Sequence, residues 1–120
     1  TTITCRVTGG RWYLDIEGHA GYGPAGRDIV CAAVSALTYT LAQCLANEKQ
    51  RGTLREQSAR FTDGGVYLMW YPSEGGEKRM RAVWETVNTG FSMLAAKYPG
   101  HVKQRIEPRM GGPPEPGGIV

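Results

Sequence analysis

Residues 18–35 read Gly18-His19-Ala20-Gly21-Tyr22-Gly23-Pro24-Ala25-Gly26-Arg27-Asp28-Ile29-Val30-Cys31-Ala32-Ala33-Val34-Ser35. Residues 18–27 hold four glycines and one proline. Such a run cannot be regular structure, because glycine loses the most backbone entropy on ordering and proline lacks an N–H. Asp28 is a favoured helix N-cap. Beyond it, Val30, Ala33, Val34, Leu37, Leu41, Cys44 and Leu45 recur at helical spacing to about Lys49. Gly52 lies just past that helix, where a left-handed cap is needed. The stretch thus divides a glycine-rich loop from a long helix, and it organises the chain on either side.

Upstream, Ile3, Cys5 and Val7 alternate with Thr2, Thr4 and Arg6. After Gly9-Gly10, Trp12, Leu14 and Ile16 alternate in the same way, which predicts an N-terminal hairpin. Downstream, Thr53 to Phe61 is polar and β-compatible and reads as an edge strand. Asp63-Gly64-Gly65 is a turn, and Val66 to Tyr71 is a strand of bulky residues. Met80, Val83, Trp84, Val87, Phe91 and Leu94 form the apolar face of a second helix, stopped at Tyr98-Pro99-Gly100. Val102, Gln104 and Ile106 suggest a last strand. The expected fold class is α+β, a small sheet in β-β-α-β-β-α-β order packed on two helices. The expected domain covers residues 1–107. Residues 108–120, rich in proline and glycine, are expected to be a disordered tail, since they cannot bury enough apolar surface to offset ordering.

Composition limits the function classes. Fourteen Lys and Arg against eleven Asp and Glu give +3, too mild for a dedicated nucleic-acid binder, so no direct nucleic-acid partner is expected. No apolar run approaches the roughly 18 residues of a bilayer span, and Thr1 to Val7 is not built like a signal peptide. The expectation is a soluble, cytoplasmic chain with no membrane partner. Cys5, Cys31 and Cys44 are odd in number and lack C-x-x-C spacing, so neither a disulfide framework nor a zinc site is expected.

The chemistry-bearing candidates converge on the opening stretch. With Asp28 as cap, Cys31 occupies the third helical position, where unpaired amides and the positive end of the helix dipole favour a thiolate. Asp28 and Ser35, three before and four after Cys31, share its face. His19 precedes a loop able to fold back over the helix start, where an imidazole can take the thiol proton and later return it to a leaving amine. Spare amides of the first helical turn are candidates for an oxyanion hole. Cys5 and Cys44 lie on apolar faces and read as packing residues.

Gly21-x-Gly23-x-x-Gly26 also matches the letters of a dinucleotide fingerprint. The match fails in context. Pro24 stiffens the turn, Asp28 puts negative charge where a pyrophosphate would sit, and the preceding strand belongs to a hairpin and not to a βαβ unit. No cofactor and no metal are expected.

The segment closely resembles the signature of the ribosomal-processing cysteine protease family, Prp. That signature pairs a Gly-His-Ala-type motif with an Asp-Ile-Val-Cys-Ala-Ala-Val-Ser-type motif, with eleven residues between His and Cys; here residues 20–30 intervene. The strand and helix order fits across about residues 1–107, and Gly90-Phe91 with Tyr98-Pro99 resembles the family's last helix. The resemblance implies a cysteine endopeptidase that removes the N-terminal extension of the twenty-seventh large-subunit ribosomal protein, after a hydrophobic, Phe-rich segment; a homodimer is expected. It implies His19 and Cys31 as the dyad and Asp28 as a supporting residue. Ser35 is a further supporting candidate. Gly21, Tyr22, Gly23 and Gly26 form the expected gating loop, with Tyr22 packing on substrate. The chain departs from the family in the small loop centre Gly23-Pro24-Ala25 and in its tail. Alternative readings are prophage-encoded processing of a capsid or scaffold protein, and a non-catalytic dimeric assembly module for ribosome or capsid.

Overall fold

A computed structural model describes residues 1–107; the expected tail, residues 108–120, lies outside the described residues. Seven elements follow in the expected order: β1 (Thr2–Thr8), β2 (Arg11–Glu17), α1 (Ile29–Arg51), β3 (Leu54–Phe61), β4 (Gly65–Pro72), α2 (Glu77–Lys97) and β5 (Lys103–Ile106). The strands form one sheet in the order β3-β4-β2-β1-β5. All neighbours are antiparallel except β1 and β5, which run parallel. The weakly patterned β3 is an edge strand, as its polar sequence suggests.

Local chemistry sets each boundary. Gly9 and Gly10 both take positive φ, 59° and 80°, which a two-residue hairpin turn requires. Gly52 closes α1 at φ 84° and returns its N–H to carbonyls of the last turn. Lys49 and Arg51 in that last turn complement the helix dipole. Glu48, buried near the same end, accepts from Thr53 and is paired with Arg79 of α2 and with Arg51. That cluster ties the end of α1 to the starts of β3 and α2.

Alternation places Ile3, Cys5, Leu14, Ile16, Leu68 and Trp70 on the covered face of the sheet, against Val30, Val34, Leu41 and Leu45 of α1 and Met80, Trp84 and Phe91 of α2. Trp12, Trp70 and Trp84 cluster within it, Trp12 and Trp70 stacked at 5.7 Å. Gly90 lets the helices approach closely, since a Cβ there would meet the Leu37 methyls at 2.8–2.9 Å. Two expectations change. Cys44 is only half-buried, in the groove between α1 and α2. An 18-residue window of α1 does have the length and apolar character of a membrane span, at mean hydropathy 1.7. Its apolar stripe is taken up by the sheet and α2 instead.

The topology gathers the site at one end of the sheet. Lys103, Thr2, Glu17 and Gly65 lie side by side across β5, β1, β2 and β4. The loop after β2, the β3–β4 turn and the segment before β5 therefore emerge together. Gly18 N–H donates to the Gly64 carbonyl at 3.1 Å and fastens the loop to the turn.

Candidate active site

Asp28 has two tasks. As N-cap, its Oδ1 accepts from the N–H groups of Val30 and Cys31, both at 3.0 Å. Its Oδ2 accepts from the loop amides of Tyr22 at 2.8 Å and Gly23 at 3.1 Å. The side chain is a helix cap and a loop latch at once. Hydrogen bonds from backbone amides, that of Cys31 foremost, hold its carboxyl down at about 2. Of the first-turn amides expected to serve an oxyanion hole, two are taken up by the cap in this structure. Val30 and Cys31 donate to the Asp28 side chain, and Ala32 donates to the Asp28 carbonyl. Asp28 makes no hydrogen bond to His19 among the described residues; it supports the site through backbone geometry.

Cys31 is half-buried in the first turn of α1, and its Sγ accepts from the Ala20 N–H at 3.2 Å. A hydrogen bond of this kind strengthens when the acceptor carries charge. His19 is exposed at the end of the β2 extension, and its carbonyl is fixed by a hydrogen bond from the Thr1 nitrogen at 3.0 Å. The His19 ring and Cys31 share no hydrogen bond among the described residues, yet both line the same two clefts. One, of about 190 Å³, runs along α1 past Ser35, Thr38 and Tyr39 to Thr62 and Asp63 of the β3–β4 turn. The other, of about 460 Å³, lies under the glycine loop between Gly21, Gly23, Gly26 and Ala32. Ser35 is half-buried and lines both. Cys31, His19 and Ser35 thus lie where the two clefts adjoin.

Tyr22, the loop residue expected to pack on substrate, also packs within the chain. Its ring lies edge-on against Tyr98 at 5.2 Å and His101 at 5.3 Å, although about half of it is exposed. The sequence reading missed three contributors. His101 donates from Nδ1 to the Ala20 carbonyl at 2.8 Å. Tyr98 receives the Tyr22 ring, and the Thr62–Gly65 turn walls the smaller cleft. The one available signal was that a chain with two histidines places the second directly after the Tyr98-Pro99-Gly100 helix stop.

Three solved structures share this architecture. The essential ribosomal processing protease Prp from S. aureus, with a covalently linked product peptide, aligns at TM-score 0.67 and 17% identity, over 88% of this chain and 98% of that one. SMU.848 from Streptococcus mutans aligns at 0.64 and 29% identity, over 91% and 94%. The S. aureus protease with a substrate peptide aligns at 0.60 and 17%, over 88% and 98%. No curated protein matches the chain. The family model described as cysteine protease Prp matches residues 1–103, a span that takes in every element up to the first residue of β5. By that match the chain belongs to the Prp cysteine protease family.

Proposed function

We propose that the chain is a cysteine endopeptidase with Cys31 as nucleophile and His19 as general base and acid. Its proposed substrate is the precursor of the twenty-seventh large-subunit ribosomal protein, cut after a hydrophobic, Phe-rich segment. The observation that carries this reading is the place of Cys31. It lines two adjoining clefts together with His19, and its sulfur is hydrogen-bonded by a loop amide. An extended peptide laid over Cys31 would put residues on either side of the scissile bond in the two clefts that Cys31 joins.

The chemistry follows from those groups. His19 takes the Cys31 thiol proton, and the sulfur attacks the scissile carbonyl carbon. The tetrahedral adduct collapses to a thioester as the C–N bond breaks, and the amine leaves with the proton from His19. Water then gives a proton to His19 and attacks the thioester, and the proton returns to sulfur as the acid is released. Closing the glycine loop on substrate brings His19 into hydrogen-bond reach of the sulfur, so that binding assembles the dyad. The exposure of the His19 side chain supports this gating: its backbone is held by the Thr1 nitrogen, and the movement required is a swing of the exposed ring toward Cys31, which is fixed in α1.

Incubating the full chain with a Phe-Phe-Ala-containing peptide and reading products by mass spectrometry tests the proposal. A single cut next to that segment, absent in Cys31→Ala, is expected. An intact peptide, or equal cutting by Cys31→Ala, would overturn it.

A further inference from the structure

We propose that His101 is a positioning residue for the nucleophile, acting on Cys31 through both sides of Ala20; this rests on Cys31 being the reactive group of the site. Ala20 is held at three points. Its methyl is buried at 5% exposure. Its N–H donates to Cys31 Sγ at 3.2 Å. Its carbonyl accepts from His101 Nδ1 at 2.8 Å. A carbonyl only accepts, so Nδ1 carries the proton in this contact. The two hydrogen bonds fix the peptide planes before and after Ala20.

That second plane needs a pin. Gly21 follows at φ 68°, in a region glycine enters and leaves with little resistance. Without His101, the Ala20–Gly21 plane can turn about that hinge, Ala20 loses one of its three holds, and the His19–Ala20 plane that carries its N–H can drift off the sulfur. His101 itself stands on firm ground. Its N–H donates to the Tyr98 carbonyl, as does that of Val102, which is buried, and Tyr98 N–H closes the end of α2. The imidazole also receives the edge-on ring of Tyr22, whose N–H is latched by Asp28. His101 therefore braces the His19–Tyr22 segment from the side opposite Asp28. It transfers the rigidity of α2 to a loop that glycine would otherwise leave slack, and it touches neither the sulfur nor the substrate clefts.

The test uses the full chain with His101→Leu, which keeps bulk and loses the donor, and His101→Asn, which keeps an N–H donor near the Nδ1 position. His101→Leu should slow iodoacetamide alkylation of Cys31, and lower kcat on the Phe-rich peptide, by about 5–10-fold, the weight of one hydrogen bond. KM should stay within about twofold, because no binding contact is removed. His101→Asn should recover most of both rates. Wild-type rates in His101→Leu, or no recovery in His101→Asn at equal folded fraction, would overturn the proposal. A measurement on the unmodified chain covers a His101→Leu that does not fold. Imidazole ¹⁵N shifts, read well above the ordinary imidazole range, should show the Nδ1-protonated tautomer at His101; the Nε2-protonated form would refute it. Alkylation needs no peptide. A chain that cuts nothing yet shows the alkylation pattern would fail as the proposed protease and keep this role for His101.

Discussion

At the scale of single residues, the three cysteines separate by what surrounds them. Cys31→Ala should lower cleavage by at least about 10³-fold, since no other group supplies the nucleophile. Its melting temperature should stay close to wild type, because the side chain is half-exposed. Cys5 is buried at 2% in the sheet core. Cys5→Ala should leave the rate per folded molecule intact and cost about 1–2 kcal/mol, read by urea titration, from lost packing. Asp28 gives a pH signature. Its carboxyl falls from an unfolded value of 3.8 to about 2 in the fold. A depressed carboxylate stabilises the fold above its unfolded value, and the contribution is lost as pH falls through about 2. Melting temperatures of wild type and Asp28→Ala should therefore differ most above pH 4 and converge toward pH 2. A difference that stays constant across that range would show that the charge has no part in the cap.

Elements meet at glycines whose missing side chain is the point. Gly76, the residue before α2, is buried against Thr53, and a Cβ there would run into the Thr53 carbonyl oxygen. That oxygen also accepts the Ser73 N–H at 2.8 Å, so it cannot give way freely. Gly76→Ala should destabilise the chain by about 1–3 kcal/mol in denaturant titration, as overpacking does, despite alanine's higher helix propensity. The site loop should behave in the opposite way. A Cβ on Gly21 would meet nothing within 4 Å, and the strain lies only in its φ of 68°. Gly21→Ala should lower kcat/KM more than it lowers melting temperature, because the strain falls on the segment carrying His19 and Ala20. A parallel loss of both quantities would argue that the loop is merely part of the scaffold. Cys44 and Leu37 show the limit of helical periodicity. Both fall on the apolar stripe, yet they lie at the seam with α2, where one groove stays partly open and Gly90 sets the spacing.

At the scale of the whole molecule, each helix is a crossover that returns the chain to lay down a parallel strand. β5 beside β1 is the last such strand, and its register brings the segment 98–102 to the site. The α2–β5 junction is polar as well as apolar: Gln104 donates to Asn88 at 2.9 Å and accepts from Ser92 at 3.2 Å. Ending the chain after Glu107 keeps all of this, including the Glu107 N–H bond to the Cys5 carbonyl, and should shift melting temperature little. Ending it after Tyr98 removes His101, the buried Val102 and β5, and should lower melting temperature steeply and abolish cleavage. Comparing the two truncations by calorimetry and peptide assay checks both expectations. A steep loss in the longer one would show that residues 108–120 contribute to the domain.

Much of this was local and therefore legible in the chain. Alternation marked β1, β2 and β4, helical spacing and the Asp28 and Gly52 caps marked α1, and the His19–Cys31 spacing drew the eye to one loop and one helix start. Those signals act between residues a few positions apart, and the sequence displays them directly. The polar sequence of β3 also marked it as an edge strand, but strand order is a different matter, because hydrogen bonds between strands carry no residue code, and only packing decided that β5 pairs with β1 and β4 with β2. The same holds for the site's supports. Asp28 had a visible reason to cap α1. One carboxylate oxygen takes the helix amides of Val30 and Cys31, while the grip of the other on Tyr22 and Gly23 needs the folded loop to be seen. His101 lies 81 positions from Ala20, and no spacing rule joins them. Only the pairing of β5 with β1, with α2 delivering its end beside the β2 loop, brings an imidazole to the carbonyl that steadies the sulfur's hydrogen bond.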